Sequence, residues 1–149
     1  MTAPRLLFVC LGNICRSPAA EGVMRVRAAA RGIDVALSSA GTGGWHAGSP
    51  PDPRMQAAAT ARGYDIADLR ARQTERADFT RFDMILAMDR SNLADLRRMA
   101  PKGGVAPVLM LPDGGDVPDP YYGGEDGFAH VLTLLEDAAE HLLTRIARH

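Results

Sequence analysis

Residues 6 to 21 limit the possible folds of this chain more tightly than any other stretch. Leu6-Leu7-Phe8-Val9 is an apolar run of strand length, suited to burial in a sheet. Cys10 to Arg16 follows, a turn-like stretch holding Gly12 and Asn13, residues that accept a left-handed backbone. Ser17-Pro18-Ala19-Ala20-Glu21 then reads as a helix start. Serine suits the N-cap, proline is pre-set for the first helical position, and glutamate in the first turn opposes the helix dipole. The pattern is strand, tight loop, helix N-terminus, with a cysteine closing the strand and an arginine opening the helix.

Backbone N–H groups of a short loop running into a helix converge and make an anion site. In this chain the loop residues are Leu11, Gly12, Asn13, Ile14, Cys15, Arg16 and Ser17. Arg16 adds a planar, two-pronged donor for two phosphate oxygens. The same surroundings favour a thiolate, the reactive form of cysteine. Ser17 can donate to that sulfur, cap the helix, or do both. Cys10 therefore reads as a nucleophile at the floor of a phosphate cradle, and a buried, inert structural cysteine is the plainer alternative.

The segment Cys10-Leu11-Gly12-Asn13-Ile14-Cys15-Arg16-Ser17-Pro18 resembles the signature loop of the low-molecular-weight protein tyrosine phosphatases. Further matches are Ser39-Ala40-Gly41-Thr42, Pro51-Asp52-Pro53-Arg54, Ala71-Arg72-Gln73, Ala87-Met88-Asp89 with Asn92, and Asp119-Pro120-Tyr121-Tyr122-Gly123. They run in family order over nearly the whole chain. The resemblance implies an α/β domain, a four-stranded parallel sheet of order 2-1-3-4 with helices on both faces. It also implies that Ser39 holds Asn13, that Trp45 lies beside the active-site cleft, and that Asp119 is the general acid.

At 149 residues the chain makes one ordinary domain with room for a sizeable core. A net charge of −1 gives no field that argues for nucleic acid or a membrane surface. Its positive charge is almost all arginine, Lys102 being the only lysine. No basic–apolar–small leader pattern and no apolar run of ~20 residues is present, so a cytoplasmic protein is expected, with export lacking a signal peptide left open. The two cysteines share one loop, which is no disulfide framework, and the histidines at 46, 130, 141 and 149 have no zinc-like spacing with them. No metal, no cofactor and a monomer are expected.

Along the chain, the first helix is predicted to run from Ser17 to about Arg31, with Gly32 as its stop and Ala19, Val23, Val26 and Ala30 facing the sheet. Residues 35–38 read as a strand ending in a loop from Ser39 to Gly44, and Asp52-Pro53 starts a helix that ends before Gly63. Thr74 is a candidate cap for a turn reaching Phe79. Residues 82–88 form the clearest later strand, followed by a helix from Asp89 to about Ala100. Residues 105–109 give a fourth strand and about 125–148 a last amphipathic helix. Right-handed crossovers gather Cys10, Trp45, Asp89 and Asp119 on one sheet edge. Asp89 reads equally well as a helix cap or as a residue facing the ligand.

Asp119 sits between Pro118 and Pro120, which stiffen a loop otherwise rich in glycine. The implied chemistry is attack of Cys10 on phosphorus, protonation of the leaving tyrosyl oxygen by Asp119, and hydrolysis of a cysteinyl-phosphate with Asp119 now acting as base. Trp45, His46, Asp89, Tyr121 and Tyr122 are expected around the substrate, His46 without a catalytic part. Phosphotyrosine proteins are the expected partners, with phosphate or another oxyanion in the loop. Cys15 reads either as a partner for a protective disulfide with Cys10 or as a small inward-packed residue. Relatives with this loop also include arsenate reductases and arginine phosphatases. The thioredoxin-linked reductases need cysteines downstream of Cys15, absent here, and the arginine phosphatases tend to carry threonine in place of Ile14. A phosphoprotein-binding module without turnover is the reading of another class.

Overall fold

The computed structural model describes residues 2–121 and 123–148. Four parallel strands, β1 (Arg5–Cys10), β2 (Ala36–Gly41), β3 (Met84–Ala87) and β4 (Val108–Leu109), form one sheet in the order β2-β1-β3-β4. Five helices connect and follow them: α1 (Arg16–Ala30), α2 (Pro53–Ala61), α3 (Asp78–Arg81), α4 (Arg90–Met99) and α5 (Glu125–Ala147). The sheet order is the one expected.

Alternation along the central strand β1 divides the core. Leu6, Phe8 and Cys10 face a cluster shared with α1, α2 and α5, whereas Leu7 and Val9 face a smaller one completed by Phe79, Leu93 and Leu96. A strand covered on both faces needs the unbroken apolar run that residues 6–9 supply. Cys10, at the carboxyl end of this strand, is held between β2 and the extension of β3.

Several local expectations are corrected. Helix α1 begins at Arg16, with Cys15 in the cap position and no side-chain cap bond, so Ser17 and Pro18 lie inside the first turn. Proline is tolerated there because the first N–H groups of a helix have no intrahelical acceptor. Glu21 falls in the second turn, buried, and the first turn holds no acid. The buried stripe of α1 includes Ala19, Ala20, Val23, Met24 and Ala28, while Val26 and Ala30 are exposed. The Ala20-Met24-Ala28 row is an i+4 ridge, which turns the contact face away from Val26.

Strand β2 runs on through Ser39, Ala40 and Gly41, because Gly41 pairs with Cys10 and also bridges to Gln73. A Cβ at Gly41 would lie 2.7 Å from the Leu11 carbonyl oxygen, so the strand end has to be glycine to sit this close to the cradle. Thr74 is not a cap. Its hydroxyl donates to the Gly41 carbonyl, and Asp78 instead accepts from the Glu75 N–H to organise the short α3. Strands β3 and β4 are shorter than predicted; in β4 only Val108 and Leu109 pair, just after Pro107, which has no N–H for a ladder. Asp52 caps α2 and Asp89 caps α4, and Gly32 (φ 66°) and Gly63 (φ 89°) follow the ends of α1 and α2 as read from sequence.

Candidate active site

The loop after β1 is shaped from outside by its carbonyls. Thr42 N–H donates to the Cys10 carbonyl at 2.9 Å, Gly43 N–H to Leu11 at 2.9 Å, and Asp52 N–H to Ile14 at 2.8 Å. With those oxygens turned outward, the N–H groups of the same trans peptides, on Leu11, Gly12 and Cys15, point the opposite way, into the loop. Asn13 makes the curl possible. At φ 58° it is the only non-glycine residue with positive φ among the described residues, in a conformation that asparagine tolerates better than most.

Its side chain is fully engaged. Nδ2 donates to Ser17 Oγ at 2.7 Å and to Ser39 Oγ at 3.0 Å, and Oδ1 accepts from the Arg72 backbone N–H at 3.0 Å. The Ser39–Asn13 contact implied by the resemblance is therefore present. Asn13 N–H also donates to Cys10 Sγ at 3.3 Å, and Ser17 Oγ lies 3.0 Å from the same sulfur. Freed from capping, the Ser17 hydroxyl sits between Asn13 and Cys10.

Arg16 is 2% exposed, and one side of its guanidinium is held by protein groups. Nη1 donates to Asp89 Oδ2 at 2.6 Å and to the Val117 carbonyl at 3.0 Å, and Nη2 lies 3.5 Å from Asp119 Oδ2. Burial works against the guanidinium charge, but Cys10, Asp89 and Asp119 outweigh it and hold the group above its ordinary value. Asp89 also caps α4, its Oδ1 accepting from Asn92 N–H at 2.7 Å. Cap and arginine partner are thus one carboxylate; Asp89 stands behind Arg16 and is not among the side chains lining the cleft.

The cleft, of about 380 Å³, is lined by Cys10, the loop, Arg16, Trp45, His46, Asp119 and Tyr121. Trp45, 73% exposed, stands at its rim, and its ring covers Gly43 so closely that a Cβ there would lie 1.8 Å from it. His46 and Tyr121 meet as tilted rings with centroids 6.2 Å apart, and Gly12 leaves room for the His46 ring. Tyr122 lies outside the described residues.

Sequence reasoning missed Arg54 as a joint between the two halves of the cleft. Its guanidinium grips both oxygens of Asp52, whose own N–H holds the cradle at Ile14, and Nη2 donates to the Tyr121 carbonyl at 2.8 Å. It also lies over the Tyr121 and Phe128 rings at 5.5 and 4.8 Å. Tyr121 N–H in turn donates to Asp119 Oδ1 at 3.1 Å, so cradle and acid loop are joined through one arginine. The Asp52-Pro53-Arg54 motif was visible as a helix start; its long-range contact was not. Cys15 is buried, and burial first, then Asp52 and Cys10, pushes its thiol well up from the ordinary range.

A cysteine, a buried arginine and a carboxylate meet around one curled loop at the carboxyl edge of a parallel sheet, the place where α/β proteins of this class bind their ligands. Comparison with known proteins narrows the class. The chain belongs to the low molecular weight phosphotyrosine protein phosphatase family, whose profile matches residues 5–149. It is 46% identical over 153 residues to a low molecular weight protein-tyrosine-phosphatase of Streptomyces coelicolor, covering 95% of this chain and 93% of that protein. The fold is similar to the crystal structure of a protein tyrosine phosphatase from Entamoeba histolytica with Hepes in the active site (TM-score 0.93, 40% identity, 98% of each chain). It is also similar to Vibrio vulnificus Wzb in complex with benzylphosphonate (TM-score 0.88, 27% identity, 97% of this chain and 99% of that one).

Proposed function

We propose that the chain hydrolyses phosphotyrosine in proteins, and small aryl phosphates, through a cysteinyl-phosphate. The observation that carries this reading is the convergence of Cys10, Arg16 and Asp119 on one cleft, with the Asp119 carboxylate 3.5 Å from the arginine that would hold the phosphoryl group. Cys10 sulfur attacks phosphorus in line, forming an S–P bond as the P–O bond to tyrosine breaks. Asp119 gives its proton to the departing tyrosyl oxygen. Arg16 and the amides of residues 11–17 hold the three equatorial oxygens as charge spreads over them. A water then attacks phosphorus, Asp119 takes its proton, the S–P bond breaks and inorganic phosphate leaves. Trp45, His46 and Tyr121 flank the ring of the substrate.

The test pairs an aryl phosphate with a phosphotyrosine peptide. Cys10→Ser should abolish turnover of both. Asp119→Ala should lower turnover of the peptide by ~10²–10⁴-fold, the usual contribution of a positioned general acid. Enzyme quenched during turnover should carry one phosphoryl group on Cys10 by mass spectrometry. Undiminished hydrolysis by Cys10→Ser would overturn the mechanism, and a binding-only protein would show no turnover in the parent.

A further inference from the structure

A second concavity, of about 360 Å³, follows the free edge of the sheet at β4. Its floor is apolar, with Leu93 from α4 on one face of the sheet, Leu142 from α5 on the other, and Val108 on the strand itself, 42% exposed. Its rim is basic on both faces: Arg97 on α4, Arg145 and His141 on α5. No Asp or Glu is among its lining side chains, and neither Arg97 nor Arg145 makes an ion pair or side-chain hydrogen bond among the described residues. Arg16, Arg27, Arg54, Arg62 and Arg72, by contrast, are all paired with carboxylates.

The backbone at this edge is also unfinished. Met110 N–H donates inward to the Ala87 carbonyl, and because strand residues alternate, Leu109 directs its own N–H and C=O away from β3. Among the described residues no strand lies beyond β4 in the sheet. A chain added here would drop successive side chains onto opposite faces, one toward Leu93 and Arg97, the next toward Leu142 and Arg145. An apolar pair at its centre would meet the floor on each face, and acids on either side would meet the rim.

We propose that the β4 edge is a docking site for a partner protein, which enters as a short extended segment with two adjacent apolar residues flanked by carboxylates. Charge complementarity selects this occupant. The edge is only two residues long, just after Pro107, so the backbone ladder is short and the paired charges do most of the selecting. This proposal does not rest on the catalytic reading.

The probe is a fluorescein-labelled hexapeptide, Asp-Glu-Val-Leu-Glu-Asp, with a counterpart carrying lysine for every acid. Anisotropy should show saturable binding of the acidic peptide alone, weakening as salt rises. The double variant Arg97→Glu/Arg145→Glu should reduce its affinity at least tenfold while its far-UV circular dichroism and urea unfolding midpoint, which certify the fold, are unchanged. Amide shifts in the parent should centre on Leu109. Binding of both peptides alike, no loss in the double variant, shifts centred on the Cys10 loop, or no binding at millimolar peptide would each overturn the proposal. So would parent chains that dimerise through this edge in sedimentation and exclude the peptide.

Discussion

Replacing Asn13 tests whether the cradle is held before any ligand arrives. In Asn13→Ala the Arg72 N–H loses its acceptor and Ser17 and Ser39 lose their shared donor. An orphaned, largely buried donor costs about 1–3 kcal/mol. Holding alanine at the observed φ of 58° adds about 1–2 kcal/mol, since its Cβ crowds the following carbonyl. The expected loss of stability is therefore roughly 2–5 kcal/mol. Urea unfolding followed by far-UV circular dichroism measures it. Trp45 fluorescence is the poorer probe because that ring is already in solvent. Asn13→Gly separates the two contributions, because glycine relieves the backbone but not the orphaned N–H, and it should recover about 1 kcal/mol. Inorganic phosphate should inhibit both variants about tenfold less tightly, equivalent to ~1.4 kcal/mol of lost cradle order. Stability of Asn13→Ala within 0.5 kcal/mol of the parent, where roughly 2–5 is expected, or unaltered phosphate inhibition, would refute the reasoning.

Asp89→Ala removes both the partner of buried Arg16 and the α4 cap, and should lower stability by about 2–4 kcal/mol in denaturant titration, with weaker phosphate inhibition. Burial pushes Glu136 upward, but the Tyr64 hydroxyl, Arg62 and Arg27 outweigh it and hold the carboxyl below its usual range. Its stabilisation is thus complete above the unfolded carboxylate range and lost as pH falls through the lower folded value. The stability gap between parent and Glu136→Gln should be constant above about pH 5.5 and shrink on acidification, as denaturation at stepped pH will show. Cys15, its thiol pushed up by burial, should resist iodoacetate at pH 7, which peptide mapping can follow. If Cys15 nevertheless shields Cys10 through a disulfide formed after peroxide oxidises Cys10, dithiothreitol should restore activity to the oxidised parent but not to oxidised Cys15→Ser; equal recovery would remove that role.

Local rules read the ends of elements well. Gly32 and Gly63 stop helices, Asp52 and Asp89 start them, and the strand at residues 6–9 was plain because a doubly covered strand leaves no polar alternation to misread. Ser17 offered two readings, helix cap or partner of the Cys10 sulfur, and only the second holds: its hydroxyl is drawn away from capping by a sulfur and an asparagine that are local only because the loop curls. The Arg72 N–H to Asn13, the Thr74 hydroxyl to the Gly41 carbonyl and Arg16 to the Val117 carbonyl are bonds across 59, 33 and 101 residues of chain, and in each one partner is a backbone group, which carries no residue-type signal that would announce it. The exposed Val26 belongs with them, since which helical ridge meets α5 is decided by the neighbour.

Val117 turns the acid loop into a tethered one. Its N–H is fixed to the Met88 carbonyl at 2.7 Å, its C=O to Arg16, and its side chain is wholly enclosed. Asp119 follows two residues later, so its Cα stays within about 7 Å of that anchor however the rest of the loop is arranged. Asp119, the carboxyl group proposed as proton donor, is therefore carried close to the arginine and not on a distant flap, and on that reading product leaves past it.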